Sequence, residues 1–472
     1  MQSKKPVRKP LISGKRVDFK DLKVGVLGVG VSGKSAVRLL MSCGSKVFVV
    51  NQGPVSSWEE QLPPAQGLGM TLFSQEDLKT PAALENVDLI ILSPGIPREH
   101  DLLKVPLEKG TPVWSEIELG YHFCDLPIAS VTGTNGKTTT VTFIGEMLKA
   151  SGKKPFVGGN IGKAFCDLPF EREKEEYDSV ILELSSFQLE SIESFTSNVS
   201  ALLNVFPNHG ERYSSFDDYG LSKLNILKGG ARDKSFYCME NLPSPFLDVV
   251  KSSSLKVSFL PFLEENTQPF EVLSRDELLR TLDLNIDSFK LPGIHNLQNL
   301  LFSSHISFKM GATKEGIQKA IDHFLGVDFR LQYVPSKLNI SCYNDAKSTN
   351  WDATLTALRA LNGKDDASLY LILGGAKRGR GDSVPRELLD FKKSIQSIFL
   401  IGETTPSIAK ELEALGLPFE KSYTLESVKN SVSSFKGDEL GHLLFSPAFP
   451  SFDQYENYKV RGKHFRELFG QS

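Results

Sequence analysis

Short apolar runs recur along the whole chain and alternate with stretches of helical periodicity. The runs lie near residues 23–27, 46–50, 87–92, 126–131, 180–182, 201–205, 338–343, 369–373, 397–401 and 442–445. Continuous apolar runs of this kind are typical of strands buried on both faces, and the helices between them indicate β-α-β units. The pattern therefore predicts an α/β protein built on parallel sheets. Residues 231–288 carry few sharp motifs and are expected to form peripheral strands and loops.

The length of the chain predicts more than one domain. At 472 residues it exceeds one ordinary core, and about three domains of roughly 100–200 residues each are expected. We predict domains at residues 1–115, 116–326 and 327–472. The first is predicted to be Rossmann-like, the second a parallel sheet of the P-loop ATPase kind, and the third a Rossmann-like, doubly wound sheet.

The composition is typical of a soluble globular enzyme. Hydrophobic residues make up 40% of the chain and charged residues 24%, and the net charge of −3 gives no argument for a nucleic-acid or membrane partner. No apolar run approaches the ~20 residues of a membrane span. The basic first twenty residues lack the apolar centre of a signal peptide. They are expected to form a solvated tail, and a nucleic-acid-binding arm is the alternative.

The five cysteines are scattered and show no metal-like spacing. They predict free thiols in a reducing cytoplasm.

The sharpest motif is a glycine loop between a predicted strand and a predicted helix. Residues 131–140 are Val-Thr-Gly-Thr-Asn-Gly-Lys-Thr-Thr-Thr, the order of a phosphate-cradling loop. Backbone N–H groups at the helix N-terminus would face the phosphates, Lys137 would reach the terminal phosphoryl oxygens, and Thr138 would ligate Mg²⁺. The strict motif has glycine where Val131 stands, so the loop is a variant. A glycine turn that merely opens a helix is the alternative to ATP binding.

A second glycine turn follows the first predicted strand. Residues 28–33 are Gly-Val-Gly-Val-Ser-Gly and open a helix, as in a dinucleotide-binding unit. Such a unit needs Asp or Glu about 20 residues further on, whereas this chain has the neutral pair Asn51 and Gln52. The turn therefore predicts a site for the diphosphate of another nucleotide, and helix–strand packing alone is the alternative. Residues 93–97 follow a buried strand and form either a ligand-binding turn or an ordinary proline turn.

Two more side chains follow predicted strands near the phosphate loop. Glu183 ends one strand and is predicted to bind Mg²⁺, with a solvated glutamate at a helix start as the alternative. His209 follows the next strand and is a candidate neighbour of metal or phosphate, although an isolated histidine is more often structural. The glycine-rich residues 157–162 would let a ligand approach the backbone.

These segments resemble the ATP-dependent Mur ligases of peptidoglycan synthesis and their folylpolyglutamate synthetase relatives. The resemblance rests on residues 133–139, 158–162, 183–189 and His209, and it extends over residues 24–469. It implies a second Mg²⁺ held partly by Lys223, which is carbamylated in several members. A carbamate is an oxygen ligand, whereas a bare ammonium repels a metal ion. Without the resemblance, Lys223 is predicted to be a surface lysine on a helix.

The resemblance assigns roles residue by residue. For the metal ions and catalysis it implies Lys137, Thr138, Glu183, His209 and carbamylated Lys223. For ATP it implies Gly133, Thr134, Asn135, Gly136, Lys137, Thr138, Thr139, Asn296, Asn299, Arg330 and Asp345. For a UDP-linked substrate it implies Gly30, Val31, Ser32, Asn51, Gln52, Ser93, Gly95, Asn160 and Ser185. For an incoming amino acid it implies Lys347, Thr349, Arg378, Ser451 and Tyr458. The amides of Asn296 and Asn299 could contact adenine or cap the helix, and the residues alone favour neither.

Three features are similar to the family member that adds D-glutamate. They are the Gly-x-Gly-x-Ser-Gly turn, the compact length and the Ser-Phe-Asp-Gln-Tyr segment at residues 451–455, and the Asp-Asn-Pro-Arg segment of the diamino-acid-adding member is missing. The implied reaction joins D-glutamate to UDP-N-acetylmuramoyl-L-alanine through an acyl phosphate, with ATP and two Mg²⁺ ions, in a cytoplasmic monomer without nucleic-acid or membrane partners. The chain departs from the family pattern at residues 208–213, at Phe329 and Gln332, and at Ala346.

Three alternatives remain open on the sequence. The first is another Mur-type or folylpolyglutamate ligase, although the folate enzyme is expected to lack the N-terminal nucleotide-like domain. The second is an NAD-dependent oxidoreductase with an unrelated ATPase domain, which Asn51 disfavours. The third is an ATP-binding regulatory protein without catalysis, which the altered residues 208–213 would suit.

Overall fold

The fold was analysed in a computed structural model of the chain. It describes residues 8, 11–12, 15–16, 18–63, 69–77, 84–206, 212–228, 234–263, 271–272, 275–362, 368–377, 383–433 and 441–471. His209 and Arg378 lie outside the described residues. The chain forms two compact units: residues 1–262, 273–284 and 299–320 form the first, and residues 263–272, 285–298 and 321–472 the second. The predicted domain boundaries near residues 115 and 326 stay a prediction.

The N-terminal part of the first unit contains a five-stranded parallel sheet. A short antiparallel hairpin, β1 (Leu11–Ile12) and β2 (Lys15–Arg16), precedes it. Its strands are β3 (Lys23–Leu27), β4 (Lys46–Asn51), β5 (Met70–Ser74), β6 (Leu89–Leu92) and β7 (Val113–Ser115), in the order β5-β4-β3-β6-β7. The helices are α1 (Val31–Ser42), α2 (Lys104–Glu108) and α3 (Glu116–Tyr121). The order reverses between β3 and β6, which is where such sheets bind nucleotides.

Strand β6 was recognisable in the sequence because its side chains are buried on both faces of the sheet. Leu89 and Ile91 belong to the core on the α1 face of the sheet, whereas Ile90 and Leu92 belong to the core on the opposite face. Because successive side chains of a strand point to opposite faces, a strand covered on both sides needs apolar residues at every position. The uninterrupted apolar runs of the sequence follow from this covering.

The rest of the first unit is built on a six-stranded parallel sheet. The strands are β8 (Ile128–Thr132), β9 (Pro155–Gly159), β10 (Ser179–Glu183), β11 (Val199–Leu202), β12 (Ser235–Met239) and β13 (Lys256–Leu260), in the order β13-β12-β11-β8-β10-β9. The helices are α4 (Lys137–Ala150), α5 (Leu168–Glu171), α6 (Ser186–Glu190), α7 (Phe216–Leu224), α8 (Ser244–Ser252) and α9 (Glu277–Thr281). All five residues of β12 are buried. The expectation that residues 231–288 are peripheral is therefore wrong for this strand.

Two helices follow, α10 (Ile294–Lys309) and α11 (Lys314–His323), and then the sheet of the second unit begins. Its strands are β14 (Gln332–Val334), β15 (Ser341–Asn344), β16 (Ser368–Gly374), β17 (Ile395–Ile401), β18 (Phe419–Tyr423) and β19 (Gly441–Phe445), in the order β14-β15-β19-β16-β17-β18. The helices are α12 (Trp351–Leu361), α13 (Thr405–Leu415), α14 (Leu425–Ser433) and α15 (Tyr458–Phe469). Five strands are parallel, and four of them, β15, β16, β17 and β19, were predicted. The sequence did not reveal β18 or the antiparallel edge strand β14.

The predicted α/β class with parallel sheets is confirmed. No helix among the described residues combines the length and the apolar character that crossing a membrane requires.

A buried carboxyl group makes the stability of the first unit depend on pH. Glu116, at the start of α3, is 1% exposed, and its Oε1 accepts a hydrogen bond from Cys166 N while Oε2 has no partner among the described residues. Burial raises the pKa of Glu116 from 4.5 to about 7. The folded protein therefore binds this proton more tightly than the unfolded chain, and stability falls as the pH rises from 4.5 towards 7.

We expect Glu116→Gln to remove this pH dependence. Between about pH 5 and about pH 8 the wild-type protein should lose roughly 2–4 kcal/mol of unfolding free energy relative to the glutamine variant. Urea unfolding at several pH values measures the difference. If the unfolding free energies of the two proteins changed with pH in the same way, ionising the Glu116 carboxyl group would cost the folded protein little free energy.

Candidate active site

The glycine loop lies between the fully buried strand β8 and helix α4, as predicted. Gly136 precedes the helix with φ +85°, a left-handed conformation that favours glycine. A Cβ atom at this position would lie 2.4 Å from Asn299 Oδ1. Both the backbone and the neighbouring amide therefore require glycine here, and the N–H groups of the first turn of α4 are left available for an anion.

Asn204 holds the loop and was missed in the sequence. Its Oδ1 accepts hydrogen bonds from the backbone N–H groups of Thr134, at 3.1 Å, and Asn135, at 2.9 Å. Asn204 lies two residues beyond β11, the strand next to β8. The available signal was a polar residue inside the apolar run predicted at residues 201–205, near the edge of the sheet where neighbouring parallel strands end.

Two lysines converge on one backbone carbonyl of this loop. Lys137 Nζ lies 2.9 Å from Gly133 O, and Lys223 Nζ lies 3.0 Å from the same oxygen. Lys223 is 1% exposed, and its Nζ lies 4.4 Å from the centre of the Tyr219 ring. Burial first, and the charge of Lys137 second, lower the pKa of Lys223 to about 7. Lys223 is thus a buried residue, unlike the surface lysine that its sequence context predicts by itself.

Two predicted metal ligands, Thr138 of the phosphate loop and Glu183, contact each other. Glu183 at the end of β10 is 2% exposed, and its Oε2 accepts a hydrogen bond of 2.8 Å from Thr138 Oγ1. Its Oε1 accepts one of 3.0 Å from Asn160 Nδ2. The alternative of a solvated glutamate at a helix start is therefore wrong.

The chemistry of these donors fits Mg²⁺. No cluster of three or more His, Cys, Asp or Glu side chains that could hold a metal ion occurs among the described residues. Mg²⁺ does not need one, because it commonly binds one or two carboxylates together with substrate phosphates and water. A carboxylate paired with a hydroxyl at the start of a phosphate loop is such a donor set.

A cleft of about 590 Å³ lies between the first glycine turn and the residues after β9. It is lined by eight of the nine residues predicted for a UDP-linked substrate: Gly30, Val31, Ser32, Asn51, Gln52, Ser93, Gly95 and Asn160. The lining also includes Ile161, from the glycine-rich segment 157–162 that was predicted to let a ligand approach, and Gln75 and Gln188, which were not predicted. The ninth predicted residue, Ser185, does not line the cleft. Its Oγ accepts a hydrogen bond of 3.2 Å from Gln188 N and caps α6.

The first glycine turn is held tightly at its last glycine. A Cβ atom on Gly33 would lie 1.9 Å from the backbone oxygen of Gly28. That oxygen also accepts a hydrogen bond of 3.0 Å from Ser93 Oγ, and Asn51 Oδ1 accepts one of 3.2 Å from Val29 N. Asn51 therefore binds the turn itself and stands where a dinucleotide enzyme needs a carboxylate for the ribose.

The two predicted asparagines of α10 have different surroundings. Asn296 Nδ2 donates a hydrogen bond of 2.7 Å to Pro292 O in the second unit. Asn299 Oδ1 accepts one of 3.3 Å from Thr140 Oγ1 in the first unit. Their predicted contacts with ATP stay predictions.

In the second unit, Asp345 holds the segment that carries Arg330. Asp345 Oδ1 accepts a hydrogen bond of 3.0 Å from Leu331 N, and its Oδ2 accepts hydrogen bonds from Ser348 Oγ and Ser446 Oγ. Burial raises the pKa of Asp345 to about 6. Phe329 and Leu331, on either side of the exposed Arg330, have φ values of +66° and +43°. Such backbone strain persists only where surrounding contacts impose it.

Four of the five residues predicted for the incoming amino acid are among the described residues of the second unit. Lys347 N donates to Phe329 O at 3.1 Å, and its Nζ lies 5.9 Å from the centre of the Tyr458 ring. The Tyr458 ring lies 6.2 Å from that of Phe329. Ser451 follows β19 and is buried, and Thr349 is half-buried. Their binding roles stay predictions.

Two family models of Mur ligases match the chain between residues 22 and 306. The Mur ligase middle domain matches residues 131–306, and the MurD-like N-terminal domain of Mur ligases matches residues 22–115.

Curated relatives match over nearly the whole chain. UDP-N-acetylmuramoylalanine–D-glutamate ligase of Geobacillus kaustophilus is 35% identical over 460 residues, which cover 95% of this chain and 97% of that protein. The ligase of the same name from Caldanaerobacter subterraneus is 30% identical over 463 residues, 96% of this chain and 98% of that protein.

Solved structures share the fold. MurF of Acinetobacter baumannii aligns with a TM-score of 0.52 at 14% identity, over 94% of this chain and 93% of that one. UDP-N-acetylmuramate-alanine ligase MurC of Thermotoga maritima aligns with a TM-score of 0.51 at 17% identity, over 94% and 98%.

Proposed function

We propose, from the premise that this chain belongs to the Mur ligase family, that it joins D-glutamate to UDP-N-acetylmuramoyl-L-alanine with cleavage of ATP to ADP and phosphate. The observation that carries the proposal is the position of Asn160. It lines the nucleotide-sized cleft and also donates a hydrogen bond of 3.0 Å to Glu183, which pairs with Thr138 of the phosphate loop. A substrate in the cleft and a phosphoryl group on the loop would therefore approach the same carboxylate.

The first glycine turn would receive the UDP diphosphate at the N-terminus of α1. Backbone N–H groups and the helix dipole stabilise phosphate at such a position. Val31, Ser32 and Gln52 would lie near the uracil, and all three line the cleft. Val31 is 67% exposed, which supports a contact with an apolar ring face that is completed only by the ligand.

The phosphate loop would hold ATP for the first chemical step. An oxygen of the alanyl carboxylate attacks the γ-phosphorus, the bond to the ADP oxygen breaks, and an acyl phosphate forms. Lys137 stabilises the charge on the transferring phosphoryl oxygens. In the second step the D-glutamate amine attacks the acyl carbon, loses a proton, and expels phosphate. Holding the reactants in line lowers the barrier by up to ~7–11 kcal/mol.

Mg²⁺ would be held by Thr138 and Glu183, and a second ion by His209 and Lys223. When bound, Mg²⁺ supplies positive charge to the phosphoryl oxygens. The Thr138–Glu183 pair at 2.8 Å supports the first assignment. Lys223 meets a carbonyl and an aromatic ring in a buried position. Burial and the nearby charge of Lys137 favour the uncharged amine of Lys223, which is the form that reacts with CO₂ to give a carbamate.

We expect Lys223 to carry a carbamate when the protein is equilibrated with bicarbonate and Mg²⁺. ¹³C-labelled bicarbonate should give a carbamate resonance that is absent from a Lys223→Met variant. Lys228, five residues further on and exposed, is the matched control, because Lys228→Met should leave the signal intact. A spectrum with no protein carbamate would contradict the second metal assignment.

Amino-acid binding is assigned to the second unit. Lys347, Thr349, Arg378, Ser451 and Tyr458 offer cationic and hydroxyl groups, which suit the two carboxylates of glutamate. ATP would also contact Arg330, Asp345, Asn296 and Asn299. A cytoplasmic location is part of the proposal and is supported by the five cysteines, which are buried and form no disulfide.

Phosphate release tests the proposal directly. The protein is mixed with ATP, Mg²⁺ and UDP-N-acetylmuramoyl-L-alanine, and D-glutamate, L-glutamate, D-aspartate or L-alanine is added. We expect stimulation by D-glutamate, formation of the extended UDP-linked product, and loss of both on chelation of Mg²⁺. Stimulation by a different amino acid would indicate another Mur-type ligase. ATP binding without turnover would indicate the regulatory alternative, and binding of NAD would favour the oxidoreductase.

A further inference from the structure

Arg461 lies in the first turns of α15 and is 1% exposed. Arginine is almost never fully buried unless its charge and donors are matched. Its described hydrogen bonds go to backbone carbonyls: Nη2 donates to Phe449 O at 2.9 Å and to Ala346 O at 3.2 Å, and Nη1 donates to Pro450 O at 3.2 Å. The guanidinium therefore bridges the loop after β15 and the loop after β19.

Two of these three carbonyls lie directly before residues that are proposed to bind the substrate. Ala346 O is followed directly by Lys347, and Pro450 O by Ser451. Because a peptide unit is planar, fixing its carbonyl also fixes the direction of the next N–Cα bond. Tyr458, the third proposed contact, lies on the same helix as Arg461.

The loop after β16 also meets this cation. A Cβ atom on Gly375 would lie 3.0 Å from Arg461 Nη1 and 2.2 Å from Pro450 O. Pro450 O additionally accepts a hydrogen bond of 2.9 Å from Ala376 N. Three loops at the carboxyl edge of one sheet thus meet at Arg461.

The loop after β19 has a strained backbone that surrounding contacts must stabilise. Ala448 has a φ of +58°, a left-handed conformation that is strained for a non-glycine residue and persists only where surrounding contacts impose it. Arginine suits the task because its planar fork presents five donors in fixed directions, whereas lysine offers one ammonium. The pKa of Arg461 is lowered by burial to about 10, so the group stays charged at neutral pH.

A purely structural role is the weaker explanation. An apolar side chain would fill the same space without the cost of burying a cation. The described bonds of Arg461 lead to the loops that carry Lys347 and Ser451. We propose that Arg461 is a positioning residue, which holds these two loops in the geometry that binds the incoming amino acid. The identity of the amino acid in this inference rests on the proposed ligase function. The role of Arg461 in holding the loops rests on the described hydrogen bonds alone.

Kinetics separate positioning from folding. We expect Arg461→Met to lower kcat/KM for D-glutamate by about 10- to 100-fold, as a displacement of roughly 1 Å does in other sites, mainly through KM. The KM for UDP-N-acetylmuramoyl-L-alanine, whose proposed cleft lies in the first unit, should not change. Arg461→Lys should recover part of the loss, because an ammonium can bind some of the carbonyls. Phe465→Leu is the matched control: Phe465 is buried one turn further along α15 and stacks on Phe445. It should lower stability without raising the KM for D-glutamate.

A second measurement needs no activity. Amide hydrogen exchange over residues 345–349 and 446–453 should be faster in Arg461→Met than in the wild type or Phe465→Leu. Unchanged exchange in both segments, or an equal rise of the KM for D-glutamate in the Phe465 control, would overturn the inference. If the methionine variant does not fold, the lysine variant carries the comparison. A wild type that does not respond to D-glutamate contradicts the proposed function, whereas the exchange result still decides the role of Arg461 in the loops.

Discussion

Replacing Lys137 with alanine is expected to lower D-glutamate-dependent phosphate release by at least about a hundredfold, the usual cost of removing one preorganised donor to transition-state charge. The Lys137 ammonium lies 2.9 Å from Gly133 O and 3.0 Å from Thr134 O, so the loop already holds it above the helix N-terminus. It needs little rearrangement to meet a terminal phosphoryl group, and no other described side chain of α4 can replace it at this position. Steady-state phosphate release with all three substrates measures the loss.

The matched control lies on the same helix. Lys149 is near the end of α4, is exposed, and pairs with Glu146 Oε1 at 2.9 Å. Lys149→Ala removes the same charge and should keep the wild-type rate, since exposed pairs of this kind contribute less than about 1 kcal/mol. Calorimetric titration with the UDP-linked substrate should give similar affinities for both variants, because its proposed cleft does not include either lysine. Comparable rates for the two variants would rule out Lys137 as the phosphoryl contact.

Gly33→Ala is expected to have the second largest effect, through the UDP-binding cleft. The added methyl carbon would lie 1.9 Å from Gly28 O and 3.1 Å from Ser93 Oγ, so the turn or the start of α1 must move. Forcing extra volume into a packed site typically costs ~1–3 kcal/mol. The same movement displaces the N–H groups that would hold the diphosphate, and the KM for UDP-N-acetylmuramoyl-L-alanine should rise about 10- to 100-fold.

Gly30 in the same turn isolates the steric cause. A Cβ atom on Gly30 would meet no heavy atom within 4 Å, and its φ is −63°, which any residue adopts. Gly30→Ala should therefore keep the wild-type unfolding temperature, whereas Gly33→Ala should lower it. Thermal unfolding of both variants, followed by substrate titration of each, tests the contrast. Equal unfolding temperatures would mean that the turn absorbs the methyl group without strain.

Much of the fold could be predicted because its signals are local. Strand β3 has the predicted bounds, and β4 extends the predicted run by one residue to Asn51. Apolar runs mark strands covered on both faces, and glycine motifs mark the turns that open α1 and α4. Edge elements were harder: β14 has three residues with one half-buried position, and it pairs antiparallel with β15. Short edge strands have neither the length nor the burial that produces a pattern.

Some residues of the candidate site could also be predicted from the sequence, and others could not. The phosphate loop and eight cleft residues were predictable, since each belongs to a motif or follows a strand. Asn204 and Arg461 were not, because each acts on residues distant in sequence: Asn204 on the loop about 70 residues earlier, and Arg461 on a carbonyl 115 residues away. A polar side chain without a local motif looks like any other polar residue until its partner is known.

By itself the sequence determined the α/β class, the phosphate loop, the first glycine turn and the family, because these depend on periodicity and on residue types at fixed short spacings. The tertiary structure alone decided that Lys223 is buried beside Lys137, that Ser185 caps a helix, and that Arg461 joins loops. Burial and electrostatic surroundings arise from elements that meet in space, and hydrogen bonds across a sheet edge are set by strand order. Residues that are neighbours in the sequence therefore do not reveal the burial of a side chain or its long-range hydrogen bonds.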